Sequence, residues 1–320
     1  MNNIILFFKF LVGATLGLFS YFTIDIKRVN TKSPDNKFIE QLQQFESSFV
    51  YPLSDNEVFT IRHGVSGDYF GFFKQLGEPY YYVALSKKNK IIKKMVEGQE
   101  TTVTQQAGEI AAAMCGILRT VHDNQGKKIQ VWYICDLKVN QKYQGQHLPL
   151  TIIKKIALPR FTQCPRGFAI CMNPINGDPK AASIFKKHSP ISGIKTQTLN
   201  LYTLSAKQVR ENSDYLKACL MRQSYMSASQ HLGCISTSGV KDYEITNTAT
   251  SKTRSWQLFH LKPMGSQELC ENGTYMICAV DGTPLDNEFK KVLVKPSSTA
   301  QIVSYGMENV DFNFLTSDQI

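Results

Sequence analysis

Several common signatures are missing from this 320-residue chain. None of its eight cysteines stands in a CxxC pair, and its six histidines lack the spacing of metal ligands. No Ser-His-Asp elbow and no phosphate-binding P-loop are present. These absences argue against zinc domains, elbow-type hydrolases and P-loop nucleotide hydrolases, and they predict no metal site.

The cysteines that are present lie mostly in apolar surroundings. Cys135 stands in VWYICDLKV and Cys278 in TYMICAV. Thiols in such stretches are typically buried and reduced rather than paired in disulfides. We therefore expect no disulfide framework and a protein that works in a reducing compartment.

The chain has no arginine-rich tail and no RNA-binding signature, so a nucleic-acid partner is not expected. Its formal charge is nevertheless +10, which favours anionic partners such as phosphates or an acidic membrane surface. A merely solubilising basic surface is the alternative. Hydrophobic residues make up 42% of the sequence, which excludes global disorder and permits a sizeable core.

Residues 1–23 contain the one long hydrophobic run, IILFFKFLVGATLGLFSYF. A helix of roughly 20 apolar residues spans a bilayer, so a membrane anchor is predicted. No basic residue precedes the run and no small-x-small cleavage site follows it, which argues against a signal peptide. A signal peptide and a buried helix stay open as alternatives. The positive-inside rule then predicts a membrane-anchored protein with its globular part in the cytoplasm. The basic residues behind this prediction all follow the run: Lys27, Arg28, Lys32 and Lys37.

The rest of the chain divides into three predicted parts. Residues 24–54 are polar and predicted to be a linker with a short helix over 38–45. Residues 55–205 alternate between strand and helix patterns, which is typical of an α/β domain. Residues 206–320 form a β-rich region that either pairs with the first domain or makes its own lobe.

The individual elements follow from periodicity. Strands are predicted over 58–63, 80–85, 108–120, 131–139, 167–172 and 198–204, and helices over 68–75, 147–157 and 179–188. In the C-terminal region a helix is predicted over 213–222, with strands over 243–246, 256–261, 274–280 and 299–305. The strand over 131–139 is apolar on both faces until Asp136, as expected for a strand that is covered on both sides.

The strand–loop–helix unit after residue 131 has the physical features of a phosphate site. A helix N-terminus offers unpaired N–H groups and a partial positive charge. Gly145 lets the loop backbone approach a ligand, and Pro149 falls in the first helical turn, where its missing N–H costs nothing. Lys138 and Lys142 add positive charge. An ordinary polar loop is the alternative reading.

The same stretch, YICDLKVNQKYQGQHLPLTIIKKI, resembles the strand-four and helix-three signature of the GNAT superfamily of N-acyltransferases. Gln144, Gly145 and Gln146 match the start of the family's [RQ]-x-x-G-x-[GA] loop. The sequence departs from that loop at His147, where the family has glycine, and at Pro149, where it has glycine or alanine.

The resemblance implies an α/β fold with a mixed, mostly antiparallel sheet flanked by helices, here with a β-rich C-terminal extension. It also implies that acyl-CoA lies between splayed strands four and five, with a backbone N–H near Val139 stabilising the oxyanion. The backbone that would bond pantetheine and the acyl carbonyl is that of Leu137, Lys138 and Val139. The residues that would hold the pyrophosphate are Gln144, Gly145, Gln146, His147 and Leu148.

Transfer to an amine also needs a base and an acid. Asp136 and Glu109 are the candidate bases, directly or through water, although Asp136 as the structural partner of a nearby lysine is the alternative. Asn173 or Asn176 stands for the family's asparagine near the pantetheine. Phe185 occupies the position of the family's proton-donating tyrosine and has no proton to give.

The sequence therefore predicts an acyl-CoA-dependent N-acyltransferase that takes acetyl-CoA or another acyl-CoA as co-substrate. The acceptor would be an amine on a protein, a polyamine or a small molecule. A degenerate GNAT-like module that binds or scaffolds at a membrane without turnover is the alternative. A basic binder of nucleic acid or anionic lipid, with steep salt dependence, is a third hypothesis.

Overall fold

The computed structural model describes residues 23–54, 56–96, 99–157, 164–173, 193–222, 232–263, 269–293 and 295–320. The predicted membrane segment and the predicted helix over 179–188 lie outside these residues. Among the residues that are described, no helix has both the length and the apolar character needed to cross a bilayer.

The strands follow the predicted periodicity closely, and every strand named from the sequence is confirmed. The strands in chain order are β1 (Ile24–Arg28), β2 (Tyr51–Ser54), β3 (Glu57–His63), β4 (Glu78–Ser86), β5 (Lys90–Val96), β6 (Gln99–Gln105), β7 (Ile110–His122), β8 (Lys128–Val139), β9 (Gly167–Met172), β10 (Lys195–Ser205), β11 (Leu232–Ser236), β12 (Lys241–Asn247), β13 (Thr253–Ser255), β14 (Leu258–Pro263), β15 (Thr274–Val280) and β16 (Ser298–Tyr305).

Helices cover the sheets at their faces and ends. They are α1 (Asn36–Ser47), α2 (Gly71–Leu76), α3 (Leu148–Ala157), α4 (Ala206–Glu211), α5 (Ser213–Arg222) and α6 (Pro284–Leu293). The predicted helices over 38–45, 68–75, 147–157 and 213–222 correspond to α1, α2, α3 and α5.

Residues 24–54 are more than the predicted linker. Besides α1 they contain β1, which pairs with β4, and β2, which pairs with β3. The sequence IDIKR of β1 is short and has three charged residues among five, as edge strands often do, so its composition resembles that of a loop.

The main sheet has ten strands in the order β1-β4-β7-β8-β9-β16-β10-β15-β14-β11. Neighbours are antiparallel except at β8–β9 and β14–β15. The predicted mixed, mostly antiparallel α/β architecture is therefore confirmed. Because β16 pairs with both β9 and β10, the C-terminal region extends the first sheet and does not stand as a separate lobe. A second sheet, β13-β12-β3-β2, also joins the two parts of the chain.

Small side chains on β7 let helix α3 pack closely against the main sheet. Ile152 and Ile156 of α3 are fully buried in a cluster with Ala111, Ala112 and other residues of the sheet. A Cβ added at Gly116 would lie 2.8 Å from Cγ2 of Ile156, so only glycine fits at this contact. This packing fixes where the N-terminus of α3 lies relative to the end of β8.

Candidate functional site

The two central parallel strands part near the middle of the sheet. β8 and β9 pair over only three register steps, the last being Ile134↔Ala169. Beyond that step β8 stays paired with β7 as far as Val139, while β9 stays paired with β16 as far as Met172. A wedge therefore opens between β8 and β9, and the splay that the family resemblance implies is confirmed.

A β-bulge lies where the wedge opens. The register of β7 and β8 shifts between Ala113 and Cys115, so two residues of β8, Asp136 and Leu137, oppose a single residue of β7. Asp136 has a φ of +50°, in the left-handed region that non-glycine residues seldom adopt. The bulge interrupts the regular ladder and turns the backbone of β8 at this point.

The bulge presents backbone to the wedge and keeps its side chain inside. Residue 136 as a whole is half-buried, yet its side chain is only 5% exposed, so its exposed surface is mostly backbone. On the β9 side, Met172 is 41% exposed. Across the described part of the chain, no ladder partner faces residues 135–139 from β9. The backbone groups of this stretch that face away from β7 are therefore available to an extended ligand.

The Asp136 carboxylate is held on both oxygens. The Tyr81 hydroxyl donates to Oδ2 at 2.5 Å, and the Lys138 ammonium donates to Oδ1. The same ammonium donates to Oε1 of Glu46 at 2.8 Å. Asp136 is therefore a structural partner of a nearby lysine, which is the alternative role predicted for it.

Glu46 connects this ion pair to strand β3. Its Oε1 lies 2.6 Å from Nδ1 of His63, and its Oε2 accepts the backbone N–H of His63 at 2.7 Å. Burial by itself would raise the pKa of Glu46, but the charge and hydrogen bonds of His63 and Lys138 outweigh it and lower the pKa to about 2. Burial likewise opposes the charge on Lys138, yet Asp136 and Glu46 raise its pKa well above the usual value. Glu46 and Lys138 are thus charged at neutral pH.

The group formed by Glu46, His63 and Asp136 has the ligand types of a metal site, with one atom of each within 4.8 Å of the others. The Lys138 ammonium, however, already lies within hydrogen-bond reach of both carboxylates. A cation that belongs to the chain itself therefore supplies the positive charge, and we assign no metal here.

Aromatic side chains enclose the buried ions. Tyr69 and Tyr81 are fully buried, and their hydroxyl oxygens lie 3.4 Å apart. Burial, followed by the nearby carboxylates, raises the pKa of both phenols well above the usual value, so both stay neutral donors. The Phe73 ring lies 4.8 Å from the His63 ring, centroid to centroid.

The loop after β8 has the backbone of an anion-binding turn. The Asn140 side chain caps a short 3-10 turn, and Gly145 and His147 then adopt φ values of +86° and +55° before α3 begins at Leu148. Among the described residues, the N–H groups of Gly145, Gln146 and Leu148 have no hydrogen-bond partner. Free N–H groups at a helix N-terminus attract phosphate.

Glu109 fastens this loop to strand β7. It accepts a hydrogen bond from the Lys142 ammonium at 2.7 Å and from the Tyr143 hydroxyl at 2.9 Å. Burial would raise the pKa of Glu109, but the hydrogen bond from Lys142 and further donors lower it. The charge of Lys142, which was predicted to attract phosphate, is thus partly neutralised by Glu109. In the part of the chain that is described, Glu109 makes no direct contact with Asp136.

The predicted binding residues fall into two groups along one edge of the wedge. Leu137, Lys138 and Val139 form the end of β8, and the side chain of Lys138 points into the buried ion cluster. Gln144, Gly145, Gln146 and His147 form the loop, and Leu148 begins α3 with its own side chain buried. Asn176 and Phe185 lie outside the described residues.

Sequence reasoning missed Glu46 and His63. Glu46 lies in NKFIEQLQQFES, where an acidic residue reads as part of a solvated helix face. His63 ends an ordinary strand, and its spacing from the other histidines is not that of a metal ligand. No local pattern reveals them, because His63 lies 17 residues and Lys138 92 residues after their common partner Glu46.

With the wedge, the bulge and the loop described, comparison with known proteins gives a fold class. No family model matches the chain. A crystal structure of Saccharomyces cerevisiae N-myristoyltransferase with bound myristoyl-CoA and inhibitors is similar over 90% of this chain and 81% of that chain, at 9% identity and a TM-score of 0.50. The chain therefore has the fold of the GNAT-type N-acyltransferases, as the resemblance predicts.

Two further proteins are similar to this chain. An uncharacterized protein of Acanthamoeba polyphaga mimivirus is 23% identical over 259 residues, which are 79% of this chain and 68% of that protein. Arabidopsis thaliana NAA60 in complex with acetyl-CoA is 12% identical and covers 56% of this chain and 88% of that chain, with a TM-score of 0.35.

Proposed function

We propose that this protein is an acyl-CoA-dependent N-acyltransferase. The observation that carries the proposal is the parting of β8 and β9 after Ile134, directly followed by the bulge and by a loop with free N–H groups. A parallel strand pair that separates while each strand keeps its other neighbour leaves one edge of β8 free for a ligand. An extended pantetheine arm is such a ligand.

The substrate would lie along β8 and end at helix α3. The backbone of Leu137, Lys138 and Val139 would bond the pantetheine amides and the acyl carbonyl. The pyrophosphate would rest on the loop from Gln144 to Leu148, where the N–H groups of Gly145, Gln146 and Leu148 and the α3 dipole favour negative charge.

The transfer reaction needs an oxyanion donor and a base besides these binding groups. The acceptor amine attacks the thioester carbon, and a backbone N–H near Val139 stabilises the oxyanion that forms. Collapse of the intermediate breaks the C–S bond, leaves an amide, and releases CoA as a thiolate that takes up a proton. Asp136 and Glu109 stay our candidates for the base that accepts the amine proton. The Glu109 side chain is 21% exposed, whereas that of Asp136 is 5% exposed and held by Tyr81 and Lys138, so Asp136 would act through water and not by contact with the amine.

The acyl group and the acceptor are to be found by experiment. N-myristoyltransferase was crystallised with myristoyl-CoA and NAA60 with acetyl-CoA, so one short and one long donor should be compared. The full-length chain in detergent is titrated calorimetrically with acetyl-CoA and with myristoyl-CoA. Binding of neither would refute the proposal.

A pair of glycine variants tests whether the loop is the binding site. Gly145 has a φ of +86° and Gly126 a φ of +77°, and an added Cβ would meet nothing within 4 Å at either position. Alanine therefore strains the backbone equally at both, by roughly 1–2 kcal/mol. We expect Gly145→Ala to weaken acyl-CoA binding about tenfold, with Gly126→Ala, in the distant β7–β8 turn, binding as the wild type does. Equal acyl-CoA affinities of the two variants would show that the loop is not part of the binding site.

Turnover separates an enzyme from a degenerate binding module. Release of free CoA thiol in the presence of an amine acceptor (a peptide with a free N-terminus, spermidine and a simple amine) is expected from an enzyme. Acyl-CoA binding without amine-dependent thiol release from any of them would favour the module.

The membrane anchor over residues 1–23 is proposed on hydrophobicity alone. We expect the full chain to float with liposomes in a density gradient, and a variant with three leucines of this segment replaced by glutamine to remain at the bottom. Flotation of both would assign membrane binding to another part of the chain.

A further inference from the structure

The bulge at Asp136 is an unusual conformation to keep inside a sheet. A non-glycine residue with a positive φ carries strain, and surrounding contacts must hold it there. A one-residue slip of β8 against β7 would remove the bulge, but it would also turn each later side chain to the opposite face. Something in the fold must favour the bulged register.

The side chain of the strained residue is held on both carboxylate oxygens. Tyr81 on β4 and Lys138 on β8 each hold one oxygen of Asp136. Glu46 on α1 holds Lys138, and two bonds to His63 on β3 hold Glu46. Four elements thus converge on one strained backbone position.

The exposure of these side chains argues against direct contact with a substrate. Glu46 is 1% exposed, His63 3% and Lys138 5%, so none of them offers a surface to a ligand. The other titratable groups facing this cluster are Tyr51 from β2, Tyr69 before α2, and Lys241, which is paired with His63 across the β3–β12 ladder. The cluster therefore acts on the wedge through the backbone of β8 and not through its side chains.

We propose that Glu46, His63 and Lys138 are positioning residues that lock the bulge, and with it the backbone N–H groups that would polarise the acyl carbonyl. The proposal rests on the function proposed above. The locked position fixes the direction of the N–H groups of residues 136–139, and an oxyanion donor works only when it points at the developing charge. Loosening the lock therefore lowers kcat more than it changes acyl-CoA affinity.

Three substitutions at position 136 separate the lock from any role of its carboxylate. Asp136→Gly and Asp136→Ala both remove the carboxylate, but only glycine accepts a φ of +50° without strain. We expect kcat to be about tenfold higher for Asp136→Gly than for Asp136→Ala, with Asp136→Asn between them, because asparagine tolerates this region better than alanine does. If the carboxylate is also the catalytic base, its loss lowers kcat in all three variants alike and leaves their order unchanged.

Glu46→Gln tests the outer part of the lock, with Glu40→Gln as its matched control on the exposed side of the same helix. We expect Glu46→Gln to lower kcat about tenfold or more, since a small misplacement at the reacting centre costs up to about 10²-fold. The KM for acyl-CoA should change less than kcat does. Glu40→Gln should match the wild type in both.

A structural measurement keeps the proposal testable if a variant folds poorly or the wild type shows no turnover. Crystal structures of Asp136→Gly and Glu46→Gln should show the bulge kept in the first and shifted or lost in the second. Equal kcat for the glycine and alanine variants, or an unchanged bulge in Glu46→Gln, would overturn the lock. If the wild type shows no turnover but the variants show the expected structures of the bulge, the proposed function is refuted and the lock is not.

Discussion

Replacing Glu46 by glutamine should cost the fold much of its stability. The carboxylate is 1% exposed and bonds His63 twice and Lys138 once. Its pKa falls from 4.5 to about 2 on folding. At about 1.36 kcal/mol per pKa unit this corresponds to roughly 3 kcal/mol, the lower part of the 3–5 kcal/mol typical for breaking a buried ion pair.

The lowered pKa of Glu46 also determines how its contribution to the unfolding free energy changes with pH. Because folding depresses the pKa, the ionised Glu46 contributes its full stabilisation above pH 4.5 and loses it as the pH falls toward 2. The free-energy difference between wild type and Glu46→Gln should therefore be largest at pH 7 and should shrink steadily between pH 4.5 and 2.

Urea unfolding, followed by tryptophan fluorescence, measures this difference at pH 7, 4 and 3. Glu40→Gln, on the exposed side of α1, should stay within about 0.5 kcal/mol of the wild type at each pH. A Glu46→Gln effect below about 1 kcal/mol at pH 7 would refute the reasoning. So would an effect of full size that persists unchanged at pH 3.

Three other substitutions probe other parts of the fold. Gly116→Ala drives a Cβ against Ile156 and should destabilise by about 1–3 kcal/mol in urea unfolding, with weaker acyl-CoA binding because α3 carries the loop. Burial, opposed by Asp318, lowers the pKa of His260 to about 4, so the wild type should lose stability as the pH falls from 6.5 toward 4, and thermal melts of His260→Asn should lack that loss. The buried Asp286 accepts hydrogen bonds from Tyr202 at 2.6 Å and from other donors, and Asp286→Ala should lower the unfolding free energy by about 3 kcal/mol or more. A cost under about 1 kcal/mol would show that those donors find other partners.

The main elements were predictable because their hydrophobic patterns are long and regular. β7 and β8 are 13 and 12 residues of mostly apolar sequence, and the strand assignment for both is confirmed. The β5–β6 hairpin was missed, since KIIKKMV and QETTVTQ carry many polar residues and pair only with each other. A strand with solvent on both faces lacks the periodicity by which a buried one is recognised.

The candidate site was predictable only where it depends on local backbone. The strand, the Gly145 turn and the helix start are neighbours in the sequence, so the pattern of residue types points to them directly. The ion cluster under the bulge is different, because Glu46, His63 and Asp136 come from three separate elements. Only the fold brings them together, and no spacing within the sequence indicates that they meet.

The two positions at which the loop departs from the family pattern, His147 and Pro149, affect the backbone in different ways. The pattern that the loop resembles has glycine at position 147, and His147 adopts a φ of +55°, which glycine would adopt without strain. His147 therefore carries backbone strain of roughly 1 kcal/mol that a glycine would avoid. Pro149 removes one N–H from the first turn of α3, where no intrahelical partner exists for it. What binds phosphate at a helix N-terminus is the backbone N–H groups, so we expect neither departure by itself to remove the proposed phosphate site.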